Sequence, residues 1–286
     1  SLLLPWLFAA RPVGDPARSG IPRVLERARH RLASPSLLVF AGWGDQELGG
    51  RSLLDLVPGP AYRSPRGVEV PDSRDSGAFV LVAAGSAHAA VHVRPARIDP
   101  DADAGILAML DDTARRTYQR IRFLREDARE LAERVLATPV ADGGWEANPA
   151  ASAPALVGIV VVATGLEPGA AALYLQLLAA PDPTVRRIRE WNGWDGPAFE
   201  RAAGQLVERG LAIRARRPRA GRDLFLPGPW EELKAPDLPV EAWRLRLYGG
   251  RPLGRLLALR PLHRIFEEAW RLVADGQGPG FEEVSR

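Results

Sequence analysis

The spacing of apolar positions in the first third of the chain predicts alternating helix and strand. Residues 21–33 place apolar side chains on one helical face, and the compact apolar run at 36–41 predicts a buried strand. Two β-rich runs, at 78–83 and 87–93, are joined by Ala-Gly-Ser and predict an antiparallel hairpin. The Gly- and Pro-rich stretch 42–76 predicts a long loop. Together these elements predict a small N-terminal α/β unit.

That unit is expected to end at residue 98, and residues 99–138 are predicted to form one long amphipathic helix. Asp99 begins a cluster of aspartates suited to a helix N-terminus, and Gly and Pro are absent from 106 to 138. Apolar or small residues recur there at alternating intervals of three and four: Leu107, Leu110, Ala114, Thr117, Ile121, Leu124, Ala128, Leu131 and Val135. Such a stripe is typical of a helix lying across its own domain or of a coiled coil, so the 106–137 helix is expected to bind another protein chain or to form a homodimer if it does not pack on its own domain.

The remainder of the chain divides into three parts by composition. Residues 139–154, rich in Gly, Pro and Asn, are predicted to be a linker. A separate module is expected at 155–230, followed by a C-terminal extension at 231–286. In that extension the alternation at 240–248 predicts a strand, and 253–259 and 261–273 predict helices.

Within the module, the order of elements is helix, helix, turn, helix and a two-stranded hairpin. Pro168 begins the first apolar helix, and Thr184 and Asp195 are placed to cap the second and third. Gly210 ends the third helix, and an alternating strand leads to an arginine-rich tip at 218–222.

This succession, with the Leu-Val-Glu-Arg-Gly-Leu junction at 206–211, resembles the winged helix-turn-helix family of bacterial regulators, especially its MarR-like and PadR-like members. The likeness covers residues 168–227 only. It implies that the helix at 197–209 enters the major groove of DNA and that the wing at 214–222 lies along the backbone or in the minor groove. The residues expected to contact nucleic acid are Arg201, Gln205, Arg214, Arg216, Arg217, Arg219 and Arg222.

Two carboxylates on the same helix keep a second function open. Glu200 and Glu208 share its outward face with Arg201 and Gln205, and they would repel phosphates. The alternative is a protein–protein adaptor or scaffold subunit in which the winged helix is an interaction module.

Composition narrows the classes of protein to be considered. Cysteine is absent, which excludes disulfides and a cysteine nucleophile, and the net charge is only +3. Lys234 is the only lysine among 38 basic residues, a bias typical of a high-GC bacterial genome. The apolar start at 1–10 lacks the methionine and basic segment of a signal peptide, and the apolar stretch 150–180 is interrupted by Gly and Pro. We therefore expect a cytoplasmic protein without a membrane segment.

The sequence contains little that indicates catalysis. His88 and His92 would lie ~13 Å apart on a strand, too far to share a metal ion. The cluster at 99–103 lacks the glutamate of a calcium loop, and neither a phosphate-binding loop nor a nucleophile elbow occurs. We therefore expect an α+β protein that is not an enzyme and holds neither metal nor cofactor. The favoured function is DNA binding in transcription regulation, mainly through wing arginines.

Overall fold

Two cores organise the chain, one built on an antiparallel sheet and the other on a helix buried on all sides. A computed structural model describes residues 3–45, 47–48, 51–84, 88–232, 238–248 and 258–280. The fold is α+β, as expected. Residues 23–129 form one compact unit, and residues 1–22 together with 130–286 form the other. This grouping differs from the predicted domains, because the N-terminal residues belong with the C-terminal half.

The elements of the first half, in chain order, are mostly short. The helices are α1 (Leu3–Ala10), α2 (Pro16–Ser19), α3 (Ile21–Leu32), α4 (Leu53–Leu56), α5 (Pro100–Met109), α6 (Asp112–Arg125) and α7 (Ala128–Leu136). The strands are β1 (Val39–Asp45), β2 (Glu47–Leu48), β3 (Arg51–Ser52), β4 (Ser73–Asp75), β5 (Phe79–Ala84) and β6 (His88–Val93).

The unit at 23–129 is a four-stranded antiparallel sheet with helices on one face. The strand order is β1-β6-β5-β4. The predicted hairpin is confirmed as β5 and β6, which pair from Phe79 with Val93 to Ala84 with His88; its turn, at 85–87, lies outside the described residues. The alternate residues that face α5 and α6 form the core of this unit, in which Tyr118 stacks on Phe79 at 5.6 Å.

The prediction of a long loop at 42–76 is wrong in part. Strand β1 continues through Gly42 and Gly44, and β2, β3, α4 and β4 follow. A Cβ atom on Gly44 would lie 2.8 Å from Leu53 Cδ2, so glycine lets the α4 side chain pack directly on the strand. The glycine-rich composition of this segment predicted a loop, but Gly44 instead allows close packing inside a strand.

The prediction of one continuous helix at 99–138 is also wrong. Helices α5, α6 and α7 replace it, with breaks after Met109 and Arg125. At the first break Asp111 accepts a hydrogen bond from Ala114 N at 2.7 Å and begins α6 as a new N-cap. The stripe positions from 107 to 121 lie in or against the core of their own unit. A homodimeric coiled coil needs a straight helix with a free apolar face. The segment provides neither, because it is divided into three helices and its stripe from 107 to 121 packs within its own unit.

The predicted linker at 139–154 is instead a packed part of the structure. Glu146 is fully buried there; its carboxylate accepts hydrogen bonds from Arg18 Nη2 at 2.9 Å, Arg134 Nε at 3.1 Å and Thr138 Oγ1 at 2.6 Å. A buried carboxylate is stable only with such partners. Composition missed this because Arg18 is 128 residues away in sequence.

The second half is mainly helical. Its helices are α8 (Pro149–Ser152), α9 (Pro154–Thr164), α10 (Pro168–Ala179), α11 (Val185–Asn192), α12 (Gly196–Glu208), α13 (Ala242–Leu245) and α14 (Leu262–Ala274). Its strands are β7 (Ile213–Arg214), β8 (Leu224–Phe225), β9 (Trp230–Glu231) and β10 (Val240–Glu241). Every residue from Ala170 to Ala179 is buried, because α10 packs against α8, α9, α12 and α14.

The C-terminal extension differs from its prediction at one element. The expected strand at 240–248 lasts only two residues, as β10, and then becomes α13 and a 3₁₀ turn. Trp243 and Leu247 both belong to the core around α10. The helix predicted at 261–273 is confirmed as α14. Of the other helix, predicted at 253–259, residues 253–257 lie outside the described residues.

In the part of the chain that the structure describes, no single helix is long and apolar enough to cross a bilayer. The pair α9 and α10 reaches that length and composition only across a 104° bend.

Candidate interaction surface around the three-helix module

The three helices and the hairpin expected at 168–227 are present. Asp195 Oδ1 accepts a hydrogen bond from Ala198 N at 2.8 Å, and Thr184 Oγ1 accepts one from Arg187 N at 3.3 Å, so both predicted caps form. Gly193, at φ 64°, lets the chain reverse between α11 and α12. Strands β7 and β8 pair through Ile213 with Phe225 and through Arg214 with Leu224.

Arg214 is exposed, but its guanidinium joins the third helix to the hairpin through two ion pairs. Its guanidinium donates to Asp223 Oδ2 at 2.5 Å and also to Glu200 Oε2 on α12. Partial burial lowers the pKa of Arg214, but the two carboxylates outweigh it and the net shift is upward. The charge of this expected phosphate contact is therefore balanced within the protein.

Arg222, a second expected contact, is buried. Its side chain is 2% exposed, and Nη2 donates to both carboxylate oxygens of Glu241, at 2.8 and 2.7 Å. Arg244 Nη2 lies 3.0 Å from the same carboxylate. Burial lowers the pKa of Arg222 to about 10 although Glu241 opposes the shift. The prediction that Arg222 contacts nucleic acid is wrong for this structure, because no phosphate reaches a guanidinium enclosed in this way.

Arg217 lies against aromatic rings. Its guanidinium carbon is 4.6 Å from the centroid of the Trp230 ring and 5.5 Å from that of Phe225. Those two rings meet edge to face at 4.9 Å. Cation–π contacts thus hold the Arg217 guanidinium beside these two rings.

The other expected contacts divide between exposed and engaged side chains. Arg201, Arg216 and Arg219 are exposed. Gln205 Oε1 accepts a hydrogen bond from Glu167 N at 3.0 Å, next to the start of α10. The structure brings Arg201, Gln205 and Arg214 onto or beside α12, but only some of the predicted cations stay open to solvent.

Sequence reasoning missed Glu241, which pairs with Arg222, and Trp230, whose ring contacts Arg217. Both lie beyond the end of the family-like stretch, and the proline-rich composition after Gly228 gave no sign that the chain returns to the hairpin. Antiparallel pairing of β9 with β10 brings Glu241 opposite Trp230 and so beside Arg222. No local signal could have indicated this pairing.

Helix α9, in the same unit, exposes an apolar face. Val162 is 86% exposed and Ile159 is 56% exposed, and small Ala155 and Gly158 lie beside them. The helix contains no charged residue. Exposed apolar side chains grouped on one helix are typical of a contact surface.

In the described ranges, no three His, Cys, Asp or Glu side chains come together in a group that could hold a metal ion. His88 and His92 both lie on β6, as expected, and His92 packs edge to face against Phe40. Comparison with protein-family models, with curated proteins and with solved structures gives no match.

Proposed function

We propose that the helical unit, in which residues 168–227 form a winged-helix module and α9 lies directly before it, works as a protein-docking unit in a larger assembly, acting by binding and not by catalysis. In this proposal the module does not read DNA. The partner contributes an uncharged, apolar face of a helix, which packs on α9.

The observation that carries the proposal is the position of Arg214 between Glu200 and Asp223. DNA bound in the family's manner would place phosphates between the third helix and the wing. Two carboxylates occupy that place here, and their charge repels phosphates unless Arg214 compensates for it. Arg222 offers no contact to phosphate, because its side chain is 2% exposed and pairs with Glu241 inside the protein.

The nature of the partner follows from the chemistry of α9. Because α9 is uncharged, a charged partner side chain would lose water there without gaining a salt bridge. Ala155 and Gly158 let a second helix approach closely, while Ile159 and Val162 supply apolar area.

Fluorescence anisotropy with a labelled DNA duplex at low salt tests whether the module binds DNA. We expect no binding by the wild type. The double variant Glu200→Gln/Asp223→Asn frees Arg214 and is expected to gain weak binding that falls steeply with salt. Tight binding by the wild type would overturn the proposal.

Docking of a partner on α9 is tested in two steps. A photo-crosslinker in place of Val162 first identifies the partner. The complex is then reconstituted from purified components and titrated with matched variants. Val162→Asp is expected to weaken it by at least about tenfold, since burying an unpaired carboxylate costs more than 1.4 kcal/mol. Val207→Asp makes the same change on α12, where the side chain is 37% exposed, and should leave the affinity unchanged.

A second candidate, DNA binding, is favoured by one observation. Arg201 and Arg216 are exposed and have no carboxylate partner among the described residues. If the wild type binds DNA, Arg201→Ala and Arg216→Ala should each weaken the binding and reduce its salt dependence.

A further inference from the structure

A half-open cavity of about 250 Å³ lies beside α11 in the helical unit. Its wall is built from α1, the segment around Trp145, the helix α11 and the start of α14. Three of these elements lie outside the stretch that resembles the winged-helix family. The cavity is therefore a feature of this chain and not of the three-helix module alone.

Three tryptophans, Trp6, Trp145 and Trp191, provide the aromatic part of the wall. Trp191 is only 7% exposed, yet its indole N–H donates no hydrogen bond to any residue that the structure describes. Trp6 and Trp145 likewise find no acceptor among the described residues. Such a wall offers ring faces for stacking and N–H groups for a ligand's acceptors.

The charged part of the wall requires both an anionic group and hydrogen-bond donors in the ligand. Arg187 is already paired with Asp182 at 2.7 Å. Arg186 is exposed and forms no ion pair among the described residues, and neither does Glu190, one turn further along α11. Glu190 would repel a ligand that carries only a carboxylate. A ligand that also carries amino or hydroxyl groups could pair with Arg186 through its anion and donate hydrogen bonds to Glu190.

Arg11 adds a second cation at the edge of the cavity. Its guanidinium lies 5.9 Å from the Trp6 ring and only loosely, at 3.8 Å, from Asp15. Two guanidiniums around one opening favour a phosphate over a single carboxylate, because each presents a planar fork of donors to the phosphate oxygens.

We propose that this cavity binds a purine nucleoside monophosphate. The base stacks between tryptophan rings, the phosphate accepts hydrogen bonds from Arg186 and Arg11, and Glu190 accepts them from the ribose hydroxyls or the exocyclic amine. The cavity, at about 250 Å³, lies just below the range of roughly 300–1,000 Å³ for ligand pockets, which suits a mononucleotide better than a dinucleotide.

Isothermal titration calorimetry of the full chain with AMP, GMP, adenosine and inorganic phosphate tests the proposal. We expect AMP or GMP to bind, adenosine to bind at least about tenfold more weakly, and phosphate alone to show no saturation. Arg186→Gln should weaken nucleotide binding by about tenfold or more, the effect of losing one charge-assisted hydrogen bond. Arg189→Gln is the matched control, because Arg189 is exposed on the same helix but does not line the cavity.

Several outcomes would overturn the proposal. They are the absence of a binding isotherm with either nucleotide at about 1 mM, equal affinity for adenosine and AMP, displacement of AMP by inorganic phosphate, or equal losses in the Arg186 and Arg189 variants. Stronger binding of free tryptophan than of AMP would assign the cavity to an aromatic amino acid instead. Both arginines are at the surface, so thermal unfolding of the two variants should match that of the wild type.

Discussion

Arg222 and Glu241 form a buried ion pair in which one guanidinium nitrogen bonds both carboxylate oxygens, at 2.8 and 2.7 Å. Both side chains are 2% exposed. Burial raises the pKa of Glu241, but the charges of Arg244 and Arg222 lower it by more. The net shift of the pKa is downward, so the carboxylate stays ionised. This pair connects the tip of the hairpin to strand β10 and removes a cation from the surface on which DNA binding would depend.

Replacing Glu241 with glutamine should destabilise the helical unit strongly. The change removes the carboxylate that pairs with both buried guanidiniums, those of Arg222 and Arg244, which costs about 3–5 kcal/mol. Urea unfolding followed by circular dichroism measures the difference. Glu200→Gln removes an exposed partner of Arg214 and should cost less than about 1 kcal/mol. Similar losses in the two variants would contradict the buried pairing.

Two glycines of the 42–76 segment should differ sharply in their tolerance of alanine. Gly59 has φ 128°, and a Cβ atom there would lie 2.1 Å from the carbonyl oxygen of Asp75. Gly67 has φ 77°, but a Cβ atom would meet nothing within 4 Å. Gly67→Ala should cost only the strain of positive φ, about 1 kcal/mol, whereas Gly59→Ala should cost ~3 kcal/mol or more. Chemical denaturation of both variants checks this, and equal costs would show that the chain does not pass so close to Asp75.

Asp75 should make the stability of the sheet unit depend on pH. Arg94 donates to both its carboxylate oxygens, at 2.9 and 2.8 Å. Burial raises the pKa of Asp75, but the hydrogen bonds from Arg94 and Gly77 N outweigh it, so the pKa in the folded state lies below 3.8. The unfolded state then takes up a proton first as the pH falls, and the contribution is present above 3.8 and lost below it.

The measurement is the difference in unfolding free energy between the wild type and Asp75→Asn at several pH values. We expect about 1–3 kcal/mol near neutral pH, the net value of hydrogen bonds to charged groups. The difference should shrink as the pH falls through 3.8 towards the lower pKa of the folded state. A difference that stays constant with pH would contradict the ionic role of Asp75.

The segment 139–154 should resist proteolysis in spite of its linker-like composition. Val140 and Ala147 are buried, and Glu146 accepts hydrogen bonds from three side chains. Thermolysin, which cleaves beside apolar residues, should leave the segment intact under native conditions. Glu146→Ala removes the common acceptor and should cost about 3–5 kcal/mol while accelerating cleavage there. Rapid cleavage of the wild type within the segment would restore the linker interpretation.

Local signals predicted the parts of the fold whose causes lie within a few residues. Thr184 and Asp195 cap α11 and α12 as expected, since a cap needs only its own side chain and the next turn of backbone. The break before α6 was missed because Asp111 interrupts the backbone without interrupting the apolar stripe. Glycine content failed at β1, where Gly44 serves close packing.

The candidate site was predicted only as a set of residues. The sequence locates Arg214, Arg217 and Arg222 in a hairpin, but solvent exposure depends on which distant groups fold against them. Glu241 lies 19 residues beyond Arg222, and no periodicity relates the two positions. The cavity beside α11 was likewise not predictable, because Trp6 and Trp191, which both line it, come from opposite ends of the sequence.

By itself, the amino-acid sequence determined the α+β class, the β5–β6 hairpin, and the caps and order of the three helices in the module. These features follow from short-range hydrogen bonding and from the period of apolar side chains. Only the tertiary structure decided where charge remains at the surface, because neutralisation of a cation depends on a carboxylate within about 4 Å in space. The fold brings Glu200 and Asp223 to Arg214 and Glu241 to Arg222. Because these arginines are paired within the protein, the function that we propose is binding to a protein partner and not to DNA.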